Sequence, residues 1–215
     1  TGKKVLISTG ATFEKVDEFR VITNLSSGKT GVELAREAYI RGADVTLICG
    51  QMSVDVPHVF DVIHVESVID MQEAVRNRVP SSDVFISAAA VSDFRPAKDG
   101  AINKISSSED LILKLESTPK IINEVKKINP KIFLVGFKAE YGISEDELIS
   151  SARERMKQAE ADLMVANDIS TRGAGFGSDT NEVLIIDDDV LKVPLTSKKE
   201  VAGKIMDKVR ECMGK

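Results

Sequence analysis

The stretch 23-TNLSSGKTG-31 decides which kind of α/β fold the chain adopts. Gly28-Lys29-Thr30 is how the phosphate loop of a nucleotide hydrolase ends. Such a loop also needs a glycine five residues before its Gly-Lys pair and a buried strand directly upstream, so that backbone amides wrap the phosphates. Position 23 is threonine, and the nearest strand-like run, 5-VLIS-8, lies well before it. The P-loop reading fails on both counts. What remains is a polar segment ending at a helix N-terminus, where Ser26, Ser27 and Gly28 offer backbone donors to an anion.

Outward from that segment, short β-branched runs alternate with helical patterns, the signature of crossover units on a parallel sheet. A strand over 4-KVLISTG-10 precedes the polar segment, and a helix from about Ser27 to Arg41 follows it, stopped by Gly42. Strands over 44–50 and 61–65, a helix over 67–79 and the strand 83-DVFISAAA-90 complete a Rossmann-like half. Residues 91–110 read as a long loop, followed by a strand over 111–117. The sheet resumes at 131–140, with a helix over 144–160 and a strand over 161–168. A glycine-rich loop, 172-RGAGFGSDTNE-182, leads to a hairpin of 183–187 with 190–195 and a last helix over 197–212. The expected fold is α/β: a Rossmann-like, doubly wound, mostly parallel sheet with an added β-hairpin and a long active-site loop.

The 215 residues, 42% hydrophobic and 29% charged, suit one domain spanning 1–215. No apolar run reaches the roughly 20 residues that cross a bilayer, and 1-TGKKVLIS-8 enters a strand, so no membrane partner and a cytoplasmic location are expected. The abrupt start at Thr1 reads as a domain cut from a longer chain. Cys49, Cys212, His58 and His64 have no metal-ligand spacing, and no protein-held metal is expected. A net charge of -5 and 5% aromatic residues argue against a nucleic-acid partner. An anionic ligand must therefore be held by local arrangement.

In open parallel sheets ligands bind beyond the carboxyl ends of the strands, near the switch in strand order. Unusual residues collect there: Gly10 after the first strand, Ala88-Ala89-Ala90 and Asp93 after the fourth, Phe137 and Glu140 in the next, Asn167-Asp168 in the one after. Each has a plainer explanation. Gly10 is also an ordinary turn glycine and lacks the three-glycine dinucleotide fingerprint. The alanines are also close packing; their other use is to let a ligand approach bare backbone amides. Lys104 in a loop is also a solvated charge, of interest because phosphate chemistry needs a mobile cation. Asn167-Asp168 is also turn chemistry.

Read together, 10-GAT-12, 19-FRVITNLSSGKTG-31, 41-RGADVTLICG-50, 88-AAAVSDFRP-96, 135-VGFKAE-140, 165-VANDIS-170 and 175-GFGSDTNEV-183 closely resemble the phosphopantothenoylcysteine synthetase (phosphopantothenate–cysteine ligase) family, nearly end to end. Members form the second half of the bifunctional coenzyme A biosynthesis protein in most prokaryotes. The resemblance implies a ligase that activates 4'-phosphopantothenate with a nucleoside triphosphate, releases pyrophosphate, and joins the acyl-nucleotide to L-cysteine. It implies Mg2+ with the nucleotide and a fused or partner phosphopantothenoylcysteine decarboxylase. It also implies a homodimer with shared active sites, in which Arg20 reaches across the interface to the substrate phosphate.

By the same resemblance Asn24 and Lys104 are catalytic, Asn24 at the acyl-nucleotide carbonyl and Lys104 at the α-phosphate. Ala89, Ala90 and Asp93 contact substrate. Gly10, Ala88, Asp93, Lys104, Pro119, Lys120, Ile121, Ile122, Phe137 and Arg155 contact nucleotide. Bacterial members carry two lysines four apart toward the triphosphate tail; the first aligns with Arg155 and the second with Ala159, so that contact departs from the family pattern. CTP is the expected triphosphate and ATP the alternative, because Val91-Ser92-Asp93-Phe94 resembles the ATP-using animal members while 119-PKII-122 resembles the prokaryotic ones. Two readings compete: an NAD(P)-dependent reductase on the same sheet, which needs a relay tyrosine beyond Tyr39 and Tyr141, and a non-catalytic nucleotide-binding module.

Overall fold

The computed structural model of the protein describes residues 2–97, 112–175 and 177–214. In chain order the elements are β1 (Lys4–Thr9), β2 (Phe13–Lys15), β3 (Val21–Thr23), α1 (Lys29–Ile40), β4 (Asp44–Cys49), β5 (Asp61–His64), α2 (Val68–Arg78) and β6 (Val84–Ser87). They continue with β7 (Phe94–Pro96), β8 (Leu115–Ser117), α3 (Ile122–Ile128), β9 (Phe133–Glu140), α4 (Glu145–Ala159), β10 (Leu163–Asp168), β11 (Thr180–Ile186), β12 (Val190–Ser197) and α5 (Lys198–Met213).

One eight-stranded sheet carries the fold, in the order β12-β11-β10-β9-β6-β1-β4-β5. The run from β10 to β5 is parallel throughout, and β11 and β12 add antiparallel at one edge. Counting only the parallel strands along the chain, this is the 3-2-1-4-5-6 order of a doubly wound sheet, whose switch point lies between β1 and β6.

Both faces of the central strands are covered, which is why those strands read as continuous apolar runs rather than alternating ones. Val5 and Ile7 of β1, Val84 and Ile86 of β6 and Val135 of β9 face α1 and α5, packing with Leu34, Ala35, Ile205 and Val209. Leu6, Phe85, Leu134 and Met164 point the other way, against α2, α3 and α4 through Met71, Val125, Leu148 and Ala152. Each fully buried aliphatic chain of this kind contributes about 1.5–3 kcal/mol. Pro194 is tolerated in β12 because that strand lies at the sheet edge and pairs only with β11.

The helix boundaries follow local chemistry. Gly42, at φ +83°, ends α1 in a Schellman turn: its N–H donates to the Tyr39 carbonyl (2.8 Å) and the Ala43 N–H to that of Ala38 (3.1 Å). Ser67 with Asp70 and Ser144 with Glu147 form reciprocal capping boxes at the starts of α2 and α4. Among the described residues no helix is long and apolar enough to cross a membrane.

Three features differ from the sequence expectation. The polar segment after β1 folds into a small antiparallel hairpin of β2 and β3, turned by Asp17, whose carboxylate accepts from the Phe19 and Arg20 amides at 2.9 and 2.8 Å. Three-residue strands are too short for an alternation signal, but the Asp-led turn is legible in hindsight. The presumed loop contributes β7, which pairs with β8 as a separate two-stranded ribbon; the expected strand over 111–117 is thus confined to Leu115–Ser117 among the described residues. Helix α3, at seven residues, falls below the window in which helical periodicity is readable.

Cys49 closes β4 at 1% exposure, and burial pushes its thiol up to about 11. The thiolate is the reactive form. Iodoacetamide at pH 8 is therefore expected to leave Cys49 unmodified in the native protein and to label it only after denaturation, as peptide mass spectrometry would show; rapid native labelling would contradict the buried placement.

Candidate active site

At the switch point β1 and β6 end side by side, with Ser8 in register with Ser87. The chain beyond β6 is stitched to the chain beyond β1: the Ala88 N–H donates to the Ser8 carbonyl (3.1 Å) and the Ala90 N–H to the Gly10 carbonyl (2.8 Å). Thr12, fully buried, accepts from the Ser92 N–H at 2.9 Å, and the Thr118 hydroxyl donates to the Ser92 carbonyl, so the segment leading to Asp93 is held from two sides. The Asn24 amide, at the end of β3, donates to the Ala90 carbonyl at 3.2 Å. Asn24 and the alanines, separated by more than 60 residues in sequence, thus meet directly.

These residues form one wall of a cleft of about 650 Å³, within the range of small-molecule sites. The second wall is the first turn of α1. Gly28 is its N-cap at φ +79° and offers no capping side chain, and no acidic residue occupies the first turn; the Gly28 and Lys29 amides make only long contacts to the Ser26 and Ser27 hydroxyls (3.4 and 3.5 Å), so the positive end of the dipole is turned to the cleft. The helix sits hard on β1: the Thr9 hydroxyl donates to the Gly28 carbonyl at 3.0 Å, and Gly31 lies directly over the Thr9 side chain. The segment that fails as a Walker loop nevertheless delivers a helix N-terminus to the cleft.

The third wall comes from the second half of the sheet. Phe137 on β9, Asn167 on β10 and Asn181 on β11 face in, with the two asparagine side chains 3.5 Å apart. Pro119 and Lys120 lead into α3, and Lys120 forms a short ion pair with Asp93 across the opening. Ile121 and Ile122 also border the cleft but are buried in the core. Arg155 of α4 reaches in with its Nη1 at 3.3 Å from Gln158 Oε1; burial holds its guanidinium below the usual range, partly offset by Asp93. Lys138 pairs with Glu140 at 2.9 Å, and that bond, with the Ser151 hydroxyl, keeps the Glu140 carboxyl below its ordinary value.

Of the residues nominated from the sequence, Asn24, Ala88, Ala89, Ala90, Asp93, Pro119, Lys120, Ile121, Ile122, Phe137 and Arg155 all border this one cleft. Gly10 does not. It sits behind the wall at φ +77°, and a Cβ there would lie 2.7 Å from the Gln51 carbonyl oxygen, so close backbone crossing explains the glycine. Ala159 is in the core at 2% exposure. Arg20 lies off the cleft on the β2–β3 turn, 3.3 Å from Asp17 and next to Phe19, which is 80% exposed. Lys104 lies outside the described residues.

The structure adds Lys29, Lys138, Gln158, Asn181 and Lys198 to the lining. Lys29, Lys138 and Asn181 stood inside quoted motifs; Gln158 and Lys198 carry no signal at sequence level, because only folding brings α4 and α5 to one place. Among the described residues no group of three His, Cys, Asp or Glu side chains is placed to hold a metal.

Comparison with known proteins agrees with this architecture over its whole length. The family model described as the DNA/pantothenate metabolism flavoprotein C-terminal domain matches residues 1–213. The chain is 47% identical over 215 residues to the coenzyme A biosynthesis bifunctional protein CoaBC of Thermococcus kodakarensis, covering 99% of this chain and 52% of that protein. It therefore spans about half the length of the relative it matches. Among solved structures it resembles the DNA/pantothenate metabolism flavoprotein from Streptococcus pneumoniae, at a TM-score of 0.87 and 28% identity over 98% of this chain and 99% of that one. It also resembles the C-terminal domain of a coenzyme A biosynthesis bifunctional protein CoaBC, at a TM-score of 0.81 and 32% identity over 100% and 97% of the two chains. A doubly wound sheet with its cleft at the switch point and a family match from end to end leave one assignment: the chain belongs to the DNA/pantothenate metabolism flavoprotein C-terminal domain family.

Proposed function

We propose that the cleft joins 4'-phosphopantothenate to L-cysteine through an acyl-nucleotide. The observation that carries this reading is the meeting, in one cleft, of an amide donor fixed by a backbone carbonyl (Asn24 on Ala90) and an uncapped helix N-terminus (α1). The first suits an acyl oxygen and the second a phosphate chain. A substrate carboxylate oxygen bonds to the α-phosphorus while the bond between the α- and β-phosphates breaks, its electron pair leaving with pyrophosphate. The cysteine nitrogen then bonds to the acyl carbon, the carbon–oxygen bond to the nucleotide breaks, and the ammonium formed loses a proton. Both steps bring anions together, so positioning and placed positive charge supply most of the acceleration.

In this reading the Asn24 amide holds the acyl oxygen, the bare backbone of Ala89 and Ala90 lies along the substrate, Phe137 borders the base or ribose, and Lys104, with Arg155, serves the phosphates. CTP is the proposed triphosphate and ATP the alternative. Mg2+ fits as a companion of the phosphates rather than in a protein cage: among the described residues the cleft is bordered by a single carboxylate, Asp93, already paired with Lys120, a sparse donor set that suits a magnesium ion retaining water and phosphate ligands. The proposed decarboxylase partner corresponds, in this reading, to the half of the bifunctional relatives that the chain does not span. A reductase finds no relay tyrosine here, since Tyr39 stacks edge-on against Phe60 and Tyr141 is 75% exposed, neither bordering the cleft.

Arg20 enters only through a second copy. The exposed Phe19 next to it provides apolar surface for that contact. Arg20→Ala is expected to raise the KM for phosphopantothenate about tenfold or more. If Arg20 serves the partner's site, mixed dimers of Arg20→Ala with Asn24→Asp contain one intact site and regain activity on mixing. If it serves its own subunit's site, no mixed dimer has an intact site and, at phosphopantothenate well below the raised KM, the mixture shows no gain over the two variants measured separately.

The test of the function is mass spectrometry of the purified protein with 4'-phosphopantothenate, Mg2+ and CTP or ATP, with and without cysteine. Acyl-nucleotide that accumulates and is consumed on adding cysteine is the expected result. Folded dimer that forms no product with either triphosphate would sink the ligase reading and favour the binding module.

A further inference from the structure

Five cationic side chains border the cleft among the described residues: Lys29, Lys120, Lys138, Arg155 and Lys198. Three are in ion pairs, Lys29 with Asp179 at 2.6 Å, Lys138 with Glu140 at 2.9 Å, and Lys120 with Asp93. Arg155 is the arginine already aligned with the triphosphate contact. Lys198 is the remaining cation, and its placement is costly in three ways.

It is 7% exposed, yet among the described residues its Nζ has one hydrogen bond, to the Gly175 carbonyl at 3.5 Å, and no carboxylate within ion-pair distance. Burial of a charge without a close counter-charge is strongly unfavourable. It is the first residue of α5, where the helix dipole disfavours a cation. Its nearest influences are another cation, Lys29, and the Asp179 carboxylate that Lys29 already holds; burial first, and Lys29 second, depress its pKa. The uncapped first turn of α1, to which Lys29 belongs, adds further positive potential to the same corner. Water would solvate an exposed lysine at no such expense. The arrangement lacks only an anion, and one with several charges.

We propose that Lys198 binds the departing pyrophosphate, taking the charge that builds on the β-phosphate oxygen as the α–β bond breaks. The inference rests on the nucleotide reading above and adds to it a residue that the sequence did not nominate. Lys198 approaches the phosphate chain from α5, the face opposite Arg155 of α4, so the two unpaired cations come from opposite sides of the sheet. In the free protein Lys198 destabilises; with the phosphates in place it gains the partner its burial requires.

Isothermal calorimetry of magnesium pyrophosphate against the whole protein tests this without turnover, with orthophosphate as a control. Lys198→Met and Lys198→Gln are expected to bind pyrophosphate about 30-fold more weakly or worse, and Lys198→Arg to stay close to wild type. Orthophosphate is expected to bind more weakly than pyrophosphate and to depend less on residue 198. Lys198→Met is expected to melt at or above wild type, because it removes an unpaired buried charge; a purely structural lysine would instead lower the melting temperature on replacement. In turnover kcat for acyl-nucleotide formation should fall while the KM for phosphopantothenate holds. Wild-type pyrophosphate binding by folded Lys198→Met or Lys198→Gln would overturn the inference. A wild-type protein that makes no acyl-nucleotide but binds pyrophosphate through Lys198 would overturn the ligase reading alone.

Discussion

Asn24→Asp is expected to lower cysteine-dependent amide formation about 100-fold, with no change in melting temperature. The Asn24 side chain is exposed and contacts the fold mainly through its bond to the Ala90 carbonyl, so stability does not depend on it. Aspartate has nearly the same shape and no N–H. It would turn a carboxylate oxygen toward the Ala90 carbonyl, lose the donor proposed for the acyl oxygen, and add negative charge where, in the proposed reaction, an anionic nucleophile meets a polyanion. Loss of one such placed donor typically removes about 10²–10³ in rate. Product quantitation by mass spectrometry checks it; a folded Asn24→Asp enzyme as fast as wild type would remove Asn24 from the chemistry.

Gly31→Ala carries the largest expected effect on stability. In an ordinary helix the change stabilises by about 1 kcal/mol. Here an added Cβ would stand 2.2 Å from Thr9 Oγ1 and 2.3 Å from Thr9 Cβ, and Thr9 is itself 1% exposed and cannot swing away. Either α1 moves off β1, or Thr9 turns and loses its bond to the Gly28 carbonyl. Overpacking of this kind costs about 1–3 kcal/mol, which in a chain of this length lowers the melting temperature by about 3–10 °C. Because the displaced element is the end of α1 proposed to hold the phosphates, nucleotide affinity should fall with it. A thermal melt reads the first effect and calorimetry with nucleotide the second; a variant that melts above wild type would show that the helix-propensity gain outweighs the contact.

The sheet was legible because its strands are buried on both faces: runs such as 4-KVLIST-9 and 163-LMVAND-168 have few other uses in a chain without a membrane-length apolar run, and the helices α1, α2 and α4 are punctuated by Gly42, Ser67 and Ser144. The β2–β3 hairpin, the β7–β8 ribbon and α3 were not legible, since each is too short for periodicity to accumulate and is defined by its partner rather than by its own pattern. Gly10 shows the reverse case. Its glycine was visible, but its reason, the approach of the Gln51 carbonyl, belongs to a segment forty residues away.

The candidate site divides in the same manner. Local sequence determined the strand ends, the rejection of a Walker loop at Thr23, and the residue types in the motifs, because backbone propensity and steric exclusion act over a few residues. Tertiary structure alone decided that Asn24 meets Ala90, that the N-terminus of α1 and Arg155 border one cleft, and that Lys198 is buried there without an ion pair among the described residues. Charge–charge and desolvation energies depend on distance through space and on exclusion of water, and neither quantity exists until the chain has closed around the cleft.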